Sequence, residues 1–179
     1  MLRNRTARSP VVVFALVVLL ALAGCQQPPS PDELAQEALE AATAGEQELA
    51  AVELAEVAND NQLQPQLRQQ AKQCLQRVLK ESPSPQVRAA CIQGLSSLWD
   101  YDSMPAFLDA LGDESDLVRG RAVVTIERLM SVSLAGFGYH YDDPSAKRAA
   151  AIERVRKEWD ATRDSPIMKK WRERLKEKS

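Results

Sequence analysis

A helical motif recurs along this chain at a spacing of about thirty residues, and this recurrence limits the fold more than any other feature. The segment Val87–Leu95 reads VRAACIQGL, and Val118–Ile126 reads VRGRAVVTI 31 residues later. Arg148–Val155 repeats the pattern once more, and Leu67–Leu75 is a weaker copy upstream. Apolar residues three, four and seven apart in each copy predict one apolar stripe per helix. A single helix pair cannot bury such a stripe, so neighbouring pairs must stack.

The rest of the sequence favours helices throughout. Ala, Leu, Gln, Glu and Arg dominate, and these residues have high helix propensity. Beyond the first 24 residues no short segment alternates polar residues with β-branched or aromatic ones. We therefore predict an all-α fold, an α-solenoid of stacked antiparallel helix pairs. Helices are expected at about Pro31–Thr43, Glu46–Ala58, 65–80, 86–99, 104–111, 117–131, 145–162 and 166–176.

The clearest repeat unit is the segment 104–123, MPAFLDALGDESDLVRGRAV. A proline opens its first helix, apolar residues follow, aspartates occupy the turn, and Val-Arg opens the second helix. This unit resembles a bacterial HEAT repeat of the short type, and the resemblance extends over about 83–159. In that family the turn aspartate and the helix arginine tie successive repeats together. The resemblance assigns this structural role to Asp113 and Arg119, and also to Arg88.

The segment Leu134–Pro144 interrupts the helical pattern. It holds two glycines, three aromatic residues and the single histidine of the chain, so we predict a loop. The following helix ends in Trp159. Together they resemble the segment that closes HEAT arrays in some bacterial envelope proteins, which implies a cap with Trp159 packed on the last repeat.

The N-terminal segment has the pattern of a bacterial export signal. Three arginines precede Val11–Ala23, an uncharged apolar stretch of 13 residues. That stretch is shorter than the roughly 20 residues that span a bilayer. The sequence Leu-Ala-Gly-Cys at 22–25 resembles the lipobox of bacterial lipoproteins. The resemblance implies cleavage before Cys25 and acylation of Cys25. An ordinary secreted protein with a chance cysteine is the alternative.

The predicted organisation follows from this signal. Residues 1–24 form a lipoprotein signal peptide, 25–30 a tether, and 31–179 a helical HEAT-like domain with a basic C-terminal helix. The resemblance implies a lipid-anchored protein on the periplasmic side of the cell envelope. Gln26 is not the aspartate that retains lipoproteins in the inner membrane of enteric bacteria, which favours the outer membrane.

Charge is distributed unevenly along the chain. The full sequence carries a net charge of -2, and removal of three leader arginines makes it -5. Every charged residue between Gln26 and Gln66 is acidic, whereas 144–179 holds 12 basic and 6 acidic residues. Such asymmetry indicates either an interaction surface or two solvated helical faces.

No motif of a known catalytic site is present, so we predict that the protein is not an enzyme and needs no cofactor or metal. His140 lies near two aspartates, but loop histidines beside acids are common. The pattern Asp100-x-Asp102 begins like a calcium-binding loop. Such a loop needs glycine at its sixth position, where this sequence has Pro105, so we reject a calcium site. Cys74 and Cys91 occupy apolar helix positions, either as buried thiols or as a disulfide.

These observations predict a membrane-anchored scaffold or adaptor that binds an envelope protein. No small-molecule substrate is evident, and export argues against a nucleic-acid partner. The alternative is a structural or assembly-factor lipoprotein that contacts outer-membrane or cell-wall components through its basic tail.

Overall fold

The computed structural model describes residues 28–41 and 43–176, and within these ranges the secondary structure is helical throughout. The eight α-helices are α1 (Pro31–Glu40), α2 (Ala44–Asn59), α3 (Pro65–Glu81), α4 (Pro85–Ser97), α5 (Met104–Ala110), α6 (Asp116–Met130), α7 (Ser145–Thr162) and α8 (Pro166–Lys176). Two 3₁₀ turns lie at Tyr101–Ser103 and Leu134–Phe137. The prediction of an all-α fold is confirmed.

The helices form an α-solenoid of antiparallel pairs. Helices α1 and α2, α3 and α4, and α5 and α6 pack as pairs. The pairs stack so that α1, α3 and α5 form one row, while α2, α4 and α6 form a second. Side chains between the rows make a continuous core, in which the largest fully buried residues include Leu54, Leu75, Ile92, Phe107 and Ile126.

Helix α7 occupies a different place from the one that its motif predicts. The sequence equates Arg148–Val155 with the copies in α4 and α6, which belong to the second row. In the structure α7 packs on α5 and on the turn Leu134–Phe137, so it continues the first row. The weaker copy at Leu67–Leu75 also lies in the first row, in α3. Helices of both rows bury a stripe against each other, so the same apolar spacing arises in either row.

Polar and proline signals set several helix starts. Ser30 and Glu33 form a capping box at the start of α1, and the Ser30 N–H bond lowers the pKa of Glu33. A second box, between Thr43 and Glu46, starts α2 at Ala44, two residues before the expected start at Glu46. Thr43 therefore belongs to the cap of α2 rather than to the end of α1.

The segment 134–144 closes the array together with α7. Its start is a 3₁₀ turn, which the loop prediction missed. The Tyr139 hydroxyl donates a hydrogen bond of 2.7 Å to the Leu111 carbonyl, and burial raises the pKa of Tyr139. Trp159 is buried and stacks on Tyr101, with ring centroids 6.2 Å apart and planes 8° from parallel. Helix α7 thus covers the last repeat, as the sequence predicts.

Gly94 permits the close approach of α2 and α4. A Cβ atom built on Gly94 would lie 2.5 Å from Cβ of Ala55. Gly120, in α6, is a matched contrast because a Cβ there would meet no atom within 4 Å. The spacing of the second row therefore depends on a missing methyl group at Gly94.

We expect Gly94→Ala to lower the free energy of unfolding by about 1–3 kcal/mol, since overpacking forces the two helices apart. Gly120→Ala should instead raise it by up to about 1 kcal/mol through helix propensity. Urea denaturation monitored by circular dichroism measures both changes. The double variant Gly94→Ala with Ala55→Gly should recover most of the loss. A stabilising Gly94→Ala would show that α2 and α4 are not in close contact.

Candidate functional site

A groove runs over α4, between α2 and α6. It has a volume of about 410 Å³ and is lined by all three helices of the second row. Its floor is made by α4, where Gln86, Ala90, Gln93 and Ser97 recur at helical spacing. These side chains are small or uncharged, so the floor offers hydrogen bonds and shape but no net charge.

Apolar side chains flank the groove without a covering element among the described residues. Leu49 and Val52 of α2 are 58% and 42% exposed. Leu117 and Val124 of α6 are 44% and 65% exposed. Val52 and Leu117 line the groove, and Leu49 and Val124 lie one turn from the lining residues Val52 and Arg121 on the same two helices. Single exposed apolar residues are ordinary, but four on the two helices beside one groove form an apolar patch. This arrangement is typical of a surface that binds another protein.

The two sides of the groove carry opposite charge. Glu48 and Glu56 of α2 line one side, and Arg121 of α6 lines the other. Within the described part of the chain, none of these three side chains forms an ion pair or a hydrogen bond. Their charges are therefore available to a ligand. The sequence analysis missed this site, although Leu117, Arg121, Val124 and Arg128 recur on one face of α6 at spacings that could have marked it.

Arg128 lies two turns beyond Arg121 on α6 and is not the freely solvated residue that its position on the helix suggests. Its guanidinium donates one hydrogen bond to the Ser96 carbonyl and another, at 2.5 Å, to the Ser96 hydroxyl. It also lies 4.8 Å from the ring centroid of Trp99. Trp99 has a φ of 51°, a left-handed conformation that is uncommon for an aromatic residue. Turning the chain at the end of α4 thus places an exposed indole under an arginine.

The arginine and aspartate that the HEAT resemblance marks come together between two repeats. Arg88 of α4 forms a bidentate ion pair with Asp113, in the turn before α6, with Nε to Oδ2 at 2.9 Å and Nη2 to Oδ1 at 2.8 Å. Both side chains are about nine-tenths buried. Bonding to Asp113 raises the pKa of Arg88, so this guanidinium stays charged. The contact joins the second repeat to the third.

Arg119 bonds to other groups than Arg88 does. It contacts the backbone carbonyl of Asp113, not the carboxylate, and the carbonyl of Glu114, at 2.8 and 2.9 Å. Its Nε donates to the Tyr141 carbonyl at 2.8 Å, and Nη2 pairs with the Asp116 carboxylate. Arg119 therefore ties α6 to the closing segment 134–144.

A local rule explains why arginine recurs near the start of these helices. Arg88 donates through Nη1 to the carbonyls of Ser82 and Pro83, six and five residues earlier. Arg119 makes the same two contacts with its own turn, and Arg148 bonds to the Asp143 carbonyl. Each arginine thus donates hydrogen bonds to carbonyls of the turn that precedes its helix. Backbone carbonyls in a buried turn need such partners, because an unpaired buried carbonyl costs free energy.

The sequence singles out His140, Asp100 and the two cysteines as residues to consider for chemistry, and all of them lie in the described ranges. No group of three or more His, Cys, Asp or Glu side chains is placed to hold a metal there. His140 is exposed, and Asp100 pairs with Lys72 at 3.0 Å. Cys74 and Cys91 are buried free thiols. Burial raises their pKa values to about 11 and about 12, which leaves little reactive thiolate.

The signal for membrane attachment falls outside the described residues. Cys25 and the preceding apolar stretch belong to 1–27, of which the structure describes nothing. Among the helices that are described, none has the length and hydropathy of a membrane span.

Comparison with known protein families finds a match to part of the chain. Residues 71–156 match the family model of HEAT repeats. The matched segment begins in α3 and extends into α7, so it includes the Arg88–Asp113 contact and two of the three helices that form the groove. No curated protein and no solved structure matches the chain at a significant level. HEAT repeats typically act as non-catalytic scaffolds for protein partners.

Proposed function

We propose that this protein is a lipid-anchored scaffold that binds a partner protein in the bacterial envelope. The observation that carries the proposal is the groove over α4, which combines exposed apolar side chains with unpaired charges on both sides. Stacked helix pairs hold this groove rigid, so a partner binds without ordering the scaffold first.

The lipobox-like sequence at 22–25 supports the anchor. Only five peptide bonds separate Cys25 from Ser30, the N-cap of α1. Fully extended, such a tether reaches about 17 Å. An acylated Cys25 would therefore keep the first repeat close to the lipid surface, and the groove with it.

Replacing Cys25 with serine tests the anchor. Each buried methylene adds about 0.8 kcal/mol of membrane affinity, so two or more acyl chains give stable attachment. We expect Cys25→Ser to leave an unprocessed precursor or to release soluble protein, measured by membrane fractionation and mass spectrometry. Cys91→Ser serves as a control, because that thiol is buried in the helical domain. A mature, cleaved and membrane-bound Cys25→Ser protein would refute the lipoprotein assignment.

Site-specific crosslinking tests the scaffold role in intact membranes. Val124 is exposed on α6, one turn beyond the groove-lining Arg121. A photoreactive side chain at this position should crosslink to one envelope protein and give a single product. A probe at Lys157, exposed on α7, provides the control outside the groove. Equal crosslinking at both positions, or none at Val124, would contradict a specific partner site.

A second candidate function rests on α8. Ile167 is 71% exposed at its start, and Lys169 and Lys170 are exposed beside it. Met168 packs against the core and attaches the helix there. The side chains of Trp171 and Leu175, which the sequence places four apart on one face, lie outside the described residues. A basic helix of this kind would attract acidic lipid headgroups or cell-wall polymers.

Deleting 165–179 separates the two candidates. We expect the truncated protein to keep its melting temperature within a few degrees while its binding to anionic vesicles or cell wall weakens. That attraction should fall with added salt, since the Debye length is about 8 Å at physiological ionic strength. Circular dichroism melting and a salt-titrated sedimentation assay measure both. Unchanged, salt-insensitive binding would remove the tail from recognition.

A further inference from the structure

We infer that the groove over α4 binds an amphipathic α-helix of a partner protein, with the acidic side chains of that helix over α6 and its basic side chains over α2. The inference rests on the proposed scaffold function and specifies the chemistry of the partner. It is carried by the width of the groove, its apolar sides and its unpaired charges.

The width of the groove suits one helix. Helices α2 and α6 each pack directly on α4. Packed helices lie 8–10 Å apart, so the axes of α2 and α6 are at most about 16–20 Å apart. An α-helix with its side chains is about 10–12 Å across, so α2 and α6 themselves take up half or more of that span. A single incoming helix therefore rests on the side chains above α4 and contacts both neighbours from there.

The apolar contacts suit a helix with a narrow apolar face. Leu49 and Val52 lie one turn apart on α2, and Leu117 and Val124 lie two turns apart on α6. Apolar residues at i, i+3 or i+4, and i+7 on the incoming helix would contact both sets. The glutamines of the floor would meet polar groups at the edge of that face.

Charge sets the orientation of the incoming helix. Arg121 and Arg128 lie seven residues apart, which is about 10.5 Å along α6. Neither pairs with a carboxylate in the described part of the chain, whereas Arg88, Arg119 and Arg156 do. Two acidic residues seven apart on a partner helix would match this spacing.

The opposite side of the groove completes the pattern. Glu48 and Glu56 lie eight residues apart on α2 and also lack ion-pair partners within the described residues. Basic residues on the second flank of the incoming helix would pair with them. A helix with uniform charge meets attraction on one side and repulsion on the other, so the groove selects against it.

Trp99 follows the end of α4, two residues after Ser97, which lines the groove. Its indole lies under the Arg128 guanidinium, and its backbone is held in the left-handed region although it is not glycine. A non-glycine residue in this region carries strain that the surrounding structure must compensate. Tryptophan and arginine are the residue types that most often dominate binding energy at protein interfaces.

The protein's own basic tail does not fit this groove. The segment 169–178 holds six basic and two acidic residues. Seated over α4, such a helix would be repelled by Arg121 and Arg128. Charge therefore favours a separate protein over α8 of a second copy.

The test uses a displayed library of 18-residue helices on a fixed Ala/Leu scaffold, with Glu, Gln or Lys allowed at positions seven apart on each flank. The library is selected against purified protein that spans residues 25–179, which is the full chain without its leader. We expect enriched helices to carry Glu on one flank and Lys on the other. Fluorescence anisotropy should show at least ten-fold weaker binding to Arg121→Glu/Arg128→Glu, and selection on that variant should enrich Lys on the first flank.

Two further variants keep the result interpretable. Glu48→Lys/Glu56→Lys changes exposed side chains only, so we expect it to fold. It should also weaken binding ten-fold, and it therefore tests the inference even if the arginine variant does not fold. Lys80→Glu/Lys157→Glu makes the same charge change as the arginine variant, at exposed positions outside the groove, and should have no effect. Enrichment without charge pattern, or equal loss in the control, would overturn the inference.

Failure of this inference differs from failure of the scaffold function. A partner that crosslinks at Val124 but presents a loop, or a uniformly charged segment, would leave the scaffold role intact and overturn the helix orientation. If the selected helices carry the expected charge pattern but no envelope protein crosslinks, the helix-binding inference stands and the scaffold role in the envelope is contradicted. Sedimentation velocity of the full chain without the leader would reveal a groove filled by a second copy, which also overturns the inference.

Discussion

Arg88→Ala is expected to lower the free energy of unfolding by about 3–5 kcal/mol, because it leaves the Asp113 carboxylate buried without its counter-charge. It also frees the Ser82 and Pro83 carbonyls, which Arg88 bonds at 3.0 Å. The loss should appear as an earlier urea midpoint with an unchanged slope, since the whole array unfolds as before. Arg121→Ala, in which an exposed and unpaired arginine is lost, should cost less than about 0.5 kcal/mol.

A double-mutant cycle isolates the ion pair. Asp113→Ala should cost less than Arg88→Ala, since Arg88 keeps its two carbonyls, and the double variant should cost less than the sum of the single ones. A coupling energy near zero would show that the two side chains act independently and that the contact does not hold the repeats in register. A buried ion pair often gives little net stability over an apolar pair, so its expected role is to fix the register of stacking.

Arg119→Ala should lower the free energy of unfolding by about 3 kcal/mol. One guanidinium satisfies three backbone carbonyls, those of Asp113, Glu114 and Tyr141. A charged hydrogen bond contributes about 1.5–3 kcal/mol, and an unsatisfied buried carbonyl costs about 1–3 kcal/mol. Arg119→Lys should recover only part of the loss, because an ammonium lacks the planar fork that reaches both turns.

Hydrogen exchange locates the damage. Loss of the bond to Tyr141 should release the closing segment first, so amides of 139–155 should exchange faster than those of α4 in Arg119→Ala. Arg121→Ala, two residues further along α6, is the matched control and should leave exchange unchanged. Uniform acceleration throughout the array would show that Arg119 stabilises the core in general and not the closing segment.

The sequence was sufficient for the features that depend on local spacing. The helix of Val87–Leu95 follows from its stripe, and its start at Pro85 follows from proline and serine chemistry. The resemblance marked Asp113, Arg119 and Arg88 as residues that tie repeats together, but it did not specify that Arg88 is the arginine that pairs with the Asp113 carboxylate. The burial of this pair could not be predicted, since that depends on how two turns pack against each other.

Features set by neighbouring helices were missed for physical reasons. The stripe in Arg148–Val155 shows that α7 buries a face, but a stripe does not specify the row in which its partner lies. The contact between Arg128 and Trp99 was missed because sequence spacing gives no sign that Trp99 turns back beneath Arg128. The groove was missed because charges on α2 and α6, more than fifty residues apart, come together only through stacking on α4.

The ends of the array differ, and this has a consequence for assembly. Among the described helices, α1 and α2 form a pair at one end of the array, whereas at the other end α7 and the segment 134–144 pack on the last repeat. Stacks whose two ends match can add copies head to tail and grow into filaments. Here the closing segment and α7 bury Tyr139 and Trp159 against the last repeat, so they occupy the apolar face on which a further helix pair, from another copy, would otherwise stack.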